Sequence, residues 1–113
     1  MRIGVPLETR AGETRVAATP ETVKKLISQG HQVLIQSGAG VGASQPDAAY
    51  QAVGATIGSA ADALGSEIVL KVRAPEAGEL KQMKSGAVLL GMLDPFDNAG
   101  IQAMAGQGIT AFA

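Results

Sequence analysis

The stretch SEIVLKVRAP, residues 66–75, runs three apolar residues together at Ile68, Val69 and Leu70 and then turns polar at Lys71 and Arg73. A strand with one wet face alternates, whereas a strand covered on both faces is apolar without interruption. GAVLLGML, residues 86–93, has the same character, with Val88, Leu89 and Leu90 in succession. Shorter apolar runs stand at residues 2–6, 31–36 and 109–113, with a weaker one at 55–58, and helical patterns fill the intervals at 20–29, 46–53, 60–64, 76–83 and 98–106. Strands alternating with helices need crossover connections, which build a parallel sheet with helices on both faces. The expected fold is therefore α/β: one domain over residues 1–113, with an open, mainly parallel Rossmann-like or flavodoxin-like sheet.

The first helix is legible in its punctuation. Thr19 suits an N-cap and Pro20 the first helical position, where a missing N–H costs nothing. Val23, Leu26 and Ile27 recur at helical spacing, and Gly30 supplies the stop. The third helical position is Thr22, so no capping box is completed.

Composition excludes several classes of function. A net charge of -1 with mixed signs leaves no electrostatic footprint for nucleic acid or an anionic membrane surface. Aromatic residues make up 3% of the chain, too few for a base-stacking platform. The absence of cysteine removes disulfides and thiolate chemistry and, with one histidine, leaves a transition-metal cluster short of ligands. Residues 1–6 read as a strand and not as a signal peptide, and no apolar run reaches membrane-spanning length, so a cytoplasmic chain without membrane insertion is expected.

In parallel sheets ligands sit beyond the carboxyl ends of the strands. Lys71 closes one such strand, and Arg15 follows the first strand of the same sheet. A guanidinium fork and an ammonium converging there suit a small carboxylate. Asp94, in MLDPFDN after the strand at 86–93, stands at the same edge, where it is either a partner for Lys71 or the first residue of an Asp-Pro turn.

GAGVGA, residues 38–43, satisfies G-x-G-x-x-A but fails as a dinucleotide fingerprint in two ways. A cofactor loop opens its helix within the motif, whereas Pro46 delays the helix here and makes Ser44 or Gln45 the expected cap. The acidic residue at the right distance, Asp62, falls in the helical SAADAL and not at a strand end. The motif reads as a turn that lets backbone segments pack closely. His31 opens a strand at the opposite edge and reads as structural, and the serines fall at turns or caps.

MRIGVPLE, GETRVAATPETVKKL, SGAGVGAS, VGATI, VLKVRAP and ITAFA together resemble, in order and over essentially the whole chain, the start of the first domain shared by proton-translocating nicotinamide nucleotide transhydrogenase α subunits and alanine dehydrogenases. The resemblance implies a Rossmann-like domain that in the complete protein packs beside a second domain holding NAD(H). It makes this chain a truncated portion that lacks its own cofactor site, with NAD(H) and NADP(H) belonging to the parent enzyme. Alanine dehydrogenases hold their keto acid with an arginine and a lysine whose positions here are Arg15 and Lys71, and place a catalytic histidine where this chain has Asp94. An aspartate substitutes poorly for an imidazole that titrates near neutrality. The transhydrogenase branch is thus the expectation, with a scaffold and interface role. The implied partners are the rest of the α subunit, the membrane and NADP-binding parts, and further copies of the chain, peripheral to the inner membrane. The alternatives are the first domain of an alanine dehydrogenase, which binds pyruvate through Arg15 and Lys71, and a stand-alone small-carboxylate or interaction module.

Overall fold

A computed structural model of the chain describes residues 1–91 and 98–112. Its strands are β1 (Arg2–Val5), β2 (Gln32–Gln36), β3 (Thr56–Gly58), β4 (Ile68–Lys71), β5 (Val88–Gly91) and β6 (Thr110–Phe112). Its helices are α1 (Pro20–Ser28), α2 (Asp47–Ala52), α3 (Ala60–Leu64), α4 (Ala77–Leu80) and α5 (Asn98–Gly106), with a short 3-10 turn at Val41–Ala43.

The six strands form one sheet in the order β3-β2-β1-β4-β5-β6, and every pairing is parallel. This is the Rossmann order and not the flavodoxin one. β1 lies at the centre, with Ile3 opposite Val33 on one side and Ile68 on the other.

Alternation along the buried strands divides the core between the two faces. Ile3, Val5, Val33, Ile35 and Leu70 pack with Val23 of α1 and Tyr50 of α2 on one face. Val69 and Leu89 point the other way and join Leu64, Met83, Met104 and Ile109. Successive residues of a strand face opposite sides, so a strand that feeds two cores must be apolar throughout. Tyr50 is fully buried, and its hydroxyl donates to the Ala18 carbonyl at 2.7 Å, tying α2 to the segment before α1.

Local signals set the helix ends. Thr19 accepts the Thr22 N–H, Pro20 takes the first turn, Lys25 lies in the last, and Gly30 follows with φ +95°. α2 differs from expectation at its start: Pro46 occupies the N-cap position, one residue later than Gln45 and two later than Ser44. Ser44 is instead left-handed, at φ 64°, as it leaves the 3-10 turn. α4 is also shorter than the expected 76–83, because the chain tightens past Leu80 into i+3 bonds from Gln82 to Glu79 and from Met83 to Leu80. No helix among the described residues is long and apolar enough to cross a membrane.

Candidate functional site: a filled crevice at the sheet switch point

From β1 the chain steps outward to β2 and β3, then crosses back to β4 beside β1 and steps outward the other way. The connections after β1 and β4 therefore diverge to opposite faces, and the carboxyl ends of those two strands border the crevice in which such folds place ligands. Here β1 delivers Pro6, Leu7 and Glu8, and β4 delivers Lys71, Val72 and Arg73.

Lys71 is 1% exposed. Its Nζ lies 3.0 Å from Oε2 of Glu79, on α4, and 3.3 Å from Oε1 of Glu8. Both carboxylates are themselves buried, Glu8 at 7% and Glu79 at 8% exposure. Glu8 also accepts the backbone N–H groups of Val72 and Arg73 at 3.0 and 3.1 Å, while the second oxygen of Glu79 accepts the Glu76 N–H at 2.9 Å. Two further ties cross between the same loops. The Arg10 Nε donates to the Ala74 carbonyl at 2.9 Å, and the Thr9 hydroxyl donates to Glu76 at 2.7 Å. The loops that border the crevice are thus stitched together over the lysine. Buried charges need this kind of pairing, since an isolated one costs several kcal/mol or more in desolvation.

The other expected site residues are placed differently. Arg15 forms a bidentate pair with its near neighbour Glu13, at 2.8 Å from Nε and 2.6 Å from Nη2. Its side chain is 55% exposed over a Glu13 side chain that is 4% exposed. Asp94 lies outside the described residues. Glu79 is the site residue that sequence reasoning misses, although its position four residues before Met83 puts a carboxylate on the inward face of the helix expected there. Such a charge on an apolar face, just after a strand-end lysine, is the signal that could have found it.

The hydrogen bonds from Arg15 hold the Glu13 carboxyl down at about 2, against an ordinary 4.5, and the Arg73 charge adds to the effect. A depressed carboxyl stabilises the fold fully above its unfolded value and loses that contribution as pH falls toward the folded one. Arg15→Ala should nevertheless cost no more than about 1 kcal/mol at neutral pH, because the guanidinium end of the pair is largely exposed and screened by solvent. The gap between its melting temperature and that of the wild type should close as pH falls from 4.5 to about 2. Thermal melts across that range check this, and a gap independent of pH would contradict the pairing.

The glycine-rich turn is filled from within. Gly38, at φ +82°, donates its N–H to Asp47 Oδ1 at 2.9 Å, and the Ser37 hydroxyl donates to Asp47 Oδ2 at 2.9 Å. A carboxylate of the chain thus sits where a fingerprint loop offers its N–H groups to a phosphate. A Cβ on Gly40 would stand 2.4 Å from the Gln45 carbonyl oxygen, and one on Gly42 would stand 2.9 Å from that of Thr14. These glycines allow close backbone approach. Asp62 is exposed and forms a capping box with Ser59 at the start of α3.

At the opposite edge, His31 is half-buried, its Nδ1 has no partner among the described residues, and it lines a groove of about 470 Å³ with Arg2, Gln32 and Thr56. Among the described residues no group of three or more His, Cys, Asp or Glu is placed to hold a metal ion.

Strand order, an all-parallel sheet and a polar network at the switch point define a Rossmann-type α/β domain with its ligand crevice occupied by its own side chains. Residues 4–113 match the family model described as alanine dehydrogenase/PNT, N-terminal domain, and the chain belongs to that family. It is 46% identical over 121 residues to the first part of NAD(P) transhydrogenase subunit alpha of Rhodospirillum rubrum, covering 100% of this chain and 32% of that protein. It is 42% identical over 95 residues to alanine dehydrogenase of Mycobacterium tuberculosis, covering 82% of this chain and 26% of the relative. Among solved structures, the transhydrogenase from Sinorhizobium meliloti superposes with a TM-score of 0.94 at 44% identity, over 100% of this chain and 34% of that one. The chain thus spans about a third of the length of these transhydrogenase relatives.

Proposed function

We propose that this chain is the first-domain portion of a transhydrogenase α subunit, which serves as scaffold and interface while a second domain holds NAD(H). The parent would transfer hydride between NAD(H) and NADP(H), coupled to proton movement through separate membrane parts, with this domain on the cytoplasmic side. The observation that carries the reading is the filled crevice. Lys71 is held by Glu8 and Glu79, so the residue best placed to hold a substrate is engaged by the chain itself. The 46% identity to a transhydrogenase alpha subunit agrees with it, and Asp94 stands at the position where the resemblance to alanine dehydrogenases implies a histidine. β6 ends the sheet with Phe112 56% exposed, a surface suited to association with another copy or with the rest of the subunit.

A second reading, the first domain of an alanine dehydrogenase, is favoured by the 42% identity to that enzyme. It requires pyruvate to reach Lys71.

Calorimetric titration of the chain with NADH should give no saturable heat at millimolar nucleotide, because Asp47 occupies the glycine-turn N–H. Micromolar binding that perturbs the Gly38 amide would make GAGVGA a cofactor loop and overturn the scaffold reading.

A further inference from the structure

We propose that the groove at the amino-terminal edge of the sheet binds a small organic monoanion with an apolar body, of the aromatic carboxylate kind, through Arg2 and His31. The site lies at the opposite edge of the sheet from the Lys71 crevice, and it goes beyond the scaffold reading without resting on it.

Strand register makes the space. Arg2 of β1 pairs with Gln32 of β2, but β3 joins β2 only at Thr56, opposite Leu34. Gln32 and Val33 therefore have no residue of β3 paired beside them, and the sheet is cut back there into a groove of about 470 Å³. Small-molecule sites occupy about 300–1,000 Å³. Paired residues share a face, as do residues two apart on one strand, so Arg2, Gln32 and Thr56 stand on the same side of the sheet. Ile27, near the end of α1, and Leu34 add apolar lining.

His31 points to an occupant. Its Nδ1 is buried with no hydrogen-bond partner among the described residues, an arrangement that lowers stability and that folded chains otherwise avoid. A proton on Nδ1 would have no acceptor, so the ring is held neutral with its hydrogen on Nε2. Because the ring lines the groove and its buried nitrogen is Nδ1, the groove is offered the Nε2–H, a donor of fixed tautomer.

Charge selects the ligand. Among the described lining residues Arg2 alone carries a formal charge. The Glu67 carboxylate, which accepts the Arg2 backbone N–H at 3.1 Å, opposes a second negative charge beside it. One negative charge is matched and two are not. A guanidinium fork grips a carboxylate with two parallel bonds, and a flat apolar body can then lie along Ile27.

The test is titration of the chain with sodium benzoate, followed in amide correlation spectra at Gln32, Val33 and Thr56 and read against sodium chloride at equal ionic strength. Saturable shifts at these amides are expected in the millimolar range. Benzamide, which keeps the ring and loses the charge, should bind more weakly by about tenfold or more, as should benzoate to Arg2→Gln and to His31→Phe, since each change removes a hydrogen bond to a charged group. His31→Phe should stay folded because Nδ1 holds nothing, and Arg2→Gln, at an exposed position, carries the test if it does not. If benzoate gives no saturable shift, if benzamide binds equally well, or if Arg2→Gln in a folded chain leaves the affinity unchanged, the groove is not an anion site and the proposal falls while the scaffold reading stands. NADH binding at Gly38 with the benzoate response intact would overturn the scaffold reading alone.

Discussion

Gly4→Ala should be among the most destabilising single-methyl additions in this chain. Gly4 sits in the middle of β1, the central strand, where a glycine forfeits both backbone entropy and side-chain packing. It is there because α3 crosses that face in backbone contact. A Cβ on Gly4 would lie 1.9 Å from the Ala63 carbonyl oxygen, 2.7 Å from its carbonyl carbon and 2.6 Å from the Ser66 hydroxyl. Two of those atoms are backbone and cannot rotate away, so α3 must be lifted off β1. Overpacking of ordinary cores costs about 1–3 kcal/mol, and displacing a helix backbone puts Gly4→Ala at or above the top of that range. Domains are stable by only about 5–15 kcal/mol, so Gly4→Val should not fold at room temperature. Gly12→Ala is the control. Gly12 has φ +79° but no neighbour within 4 Å of a built Cβ, so only the left-handed backbone penalty of roughly 1–2 kcal/mol applies. Urea midpoints measure both, and equal losses at the two glycines would contradict the close approach of α3.

The second large effect is expected at Lys71→Met. The substitution keeps length and apolar packing but leaves Glu8 and Glu79 facing one another, at 7% and 8% exposure, without their shared cation. Removing one partner from a buried ion pair costs about 3–5 kcal/mol, mostly through the charge left unpaired. Neutralising one acid should give part of that back. Lys71→Met with Glu79→Gln should lose less than the two single losses added, by a coupling of about 0.5–3 kcal/mol, since residues in one network are not additive. Denaturant unfolding of the four proteins in the cycle decides this. Strict additivity would mean that the ammonium and the Glu79 carboxylate do not interact.

The sequence disclosed those parts of the molecule that depend on near neighbours. The uninterrupted runs at Ile68–Leu70 and Val88–Leu90 announced doubly covered strands because their residues feed two cores, and Thr19, Pro20 and Gly30 bounded α1 through bonds within a turn. Strand order was hidden, since placing β4 beside β1 depends on Ile3 meeting Ile68 across the chain. The same separation hid the state of Lys71. A strand-end lysine reads as a cation offered to a ligand until Glu8, from the far side of the switch point, is seen to claim it together with Glu79. Arg15 had a partner two residues away in Glu13, near enough to be weighed from sequence. For the glycine-rich turn, the delayed helix start at Pro46 was enough to disfavour a cofactor loop. That Asp47 reaches back to the Gly38 N–H needed the fold.

The filled crevice is tested most directly by amide correlation spectra of the wild-type chain titrated with pyruvate, followed at Val72 and Arg73, whose N–H groups donate to Glu8 beside Lys71. With Lys71 held by Glu8 and Glu79, neither amide should shift beyond the response to equal chloride up to millimolar pyruvate. Saturable shifts at both amides, abolished by Lys71→Met in a chain that remains folded, would show a lysine free to take a keto acid and would contradict a crevice closed by its own side chains.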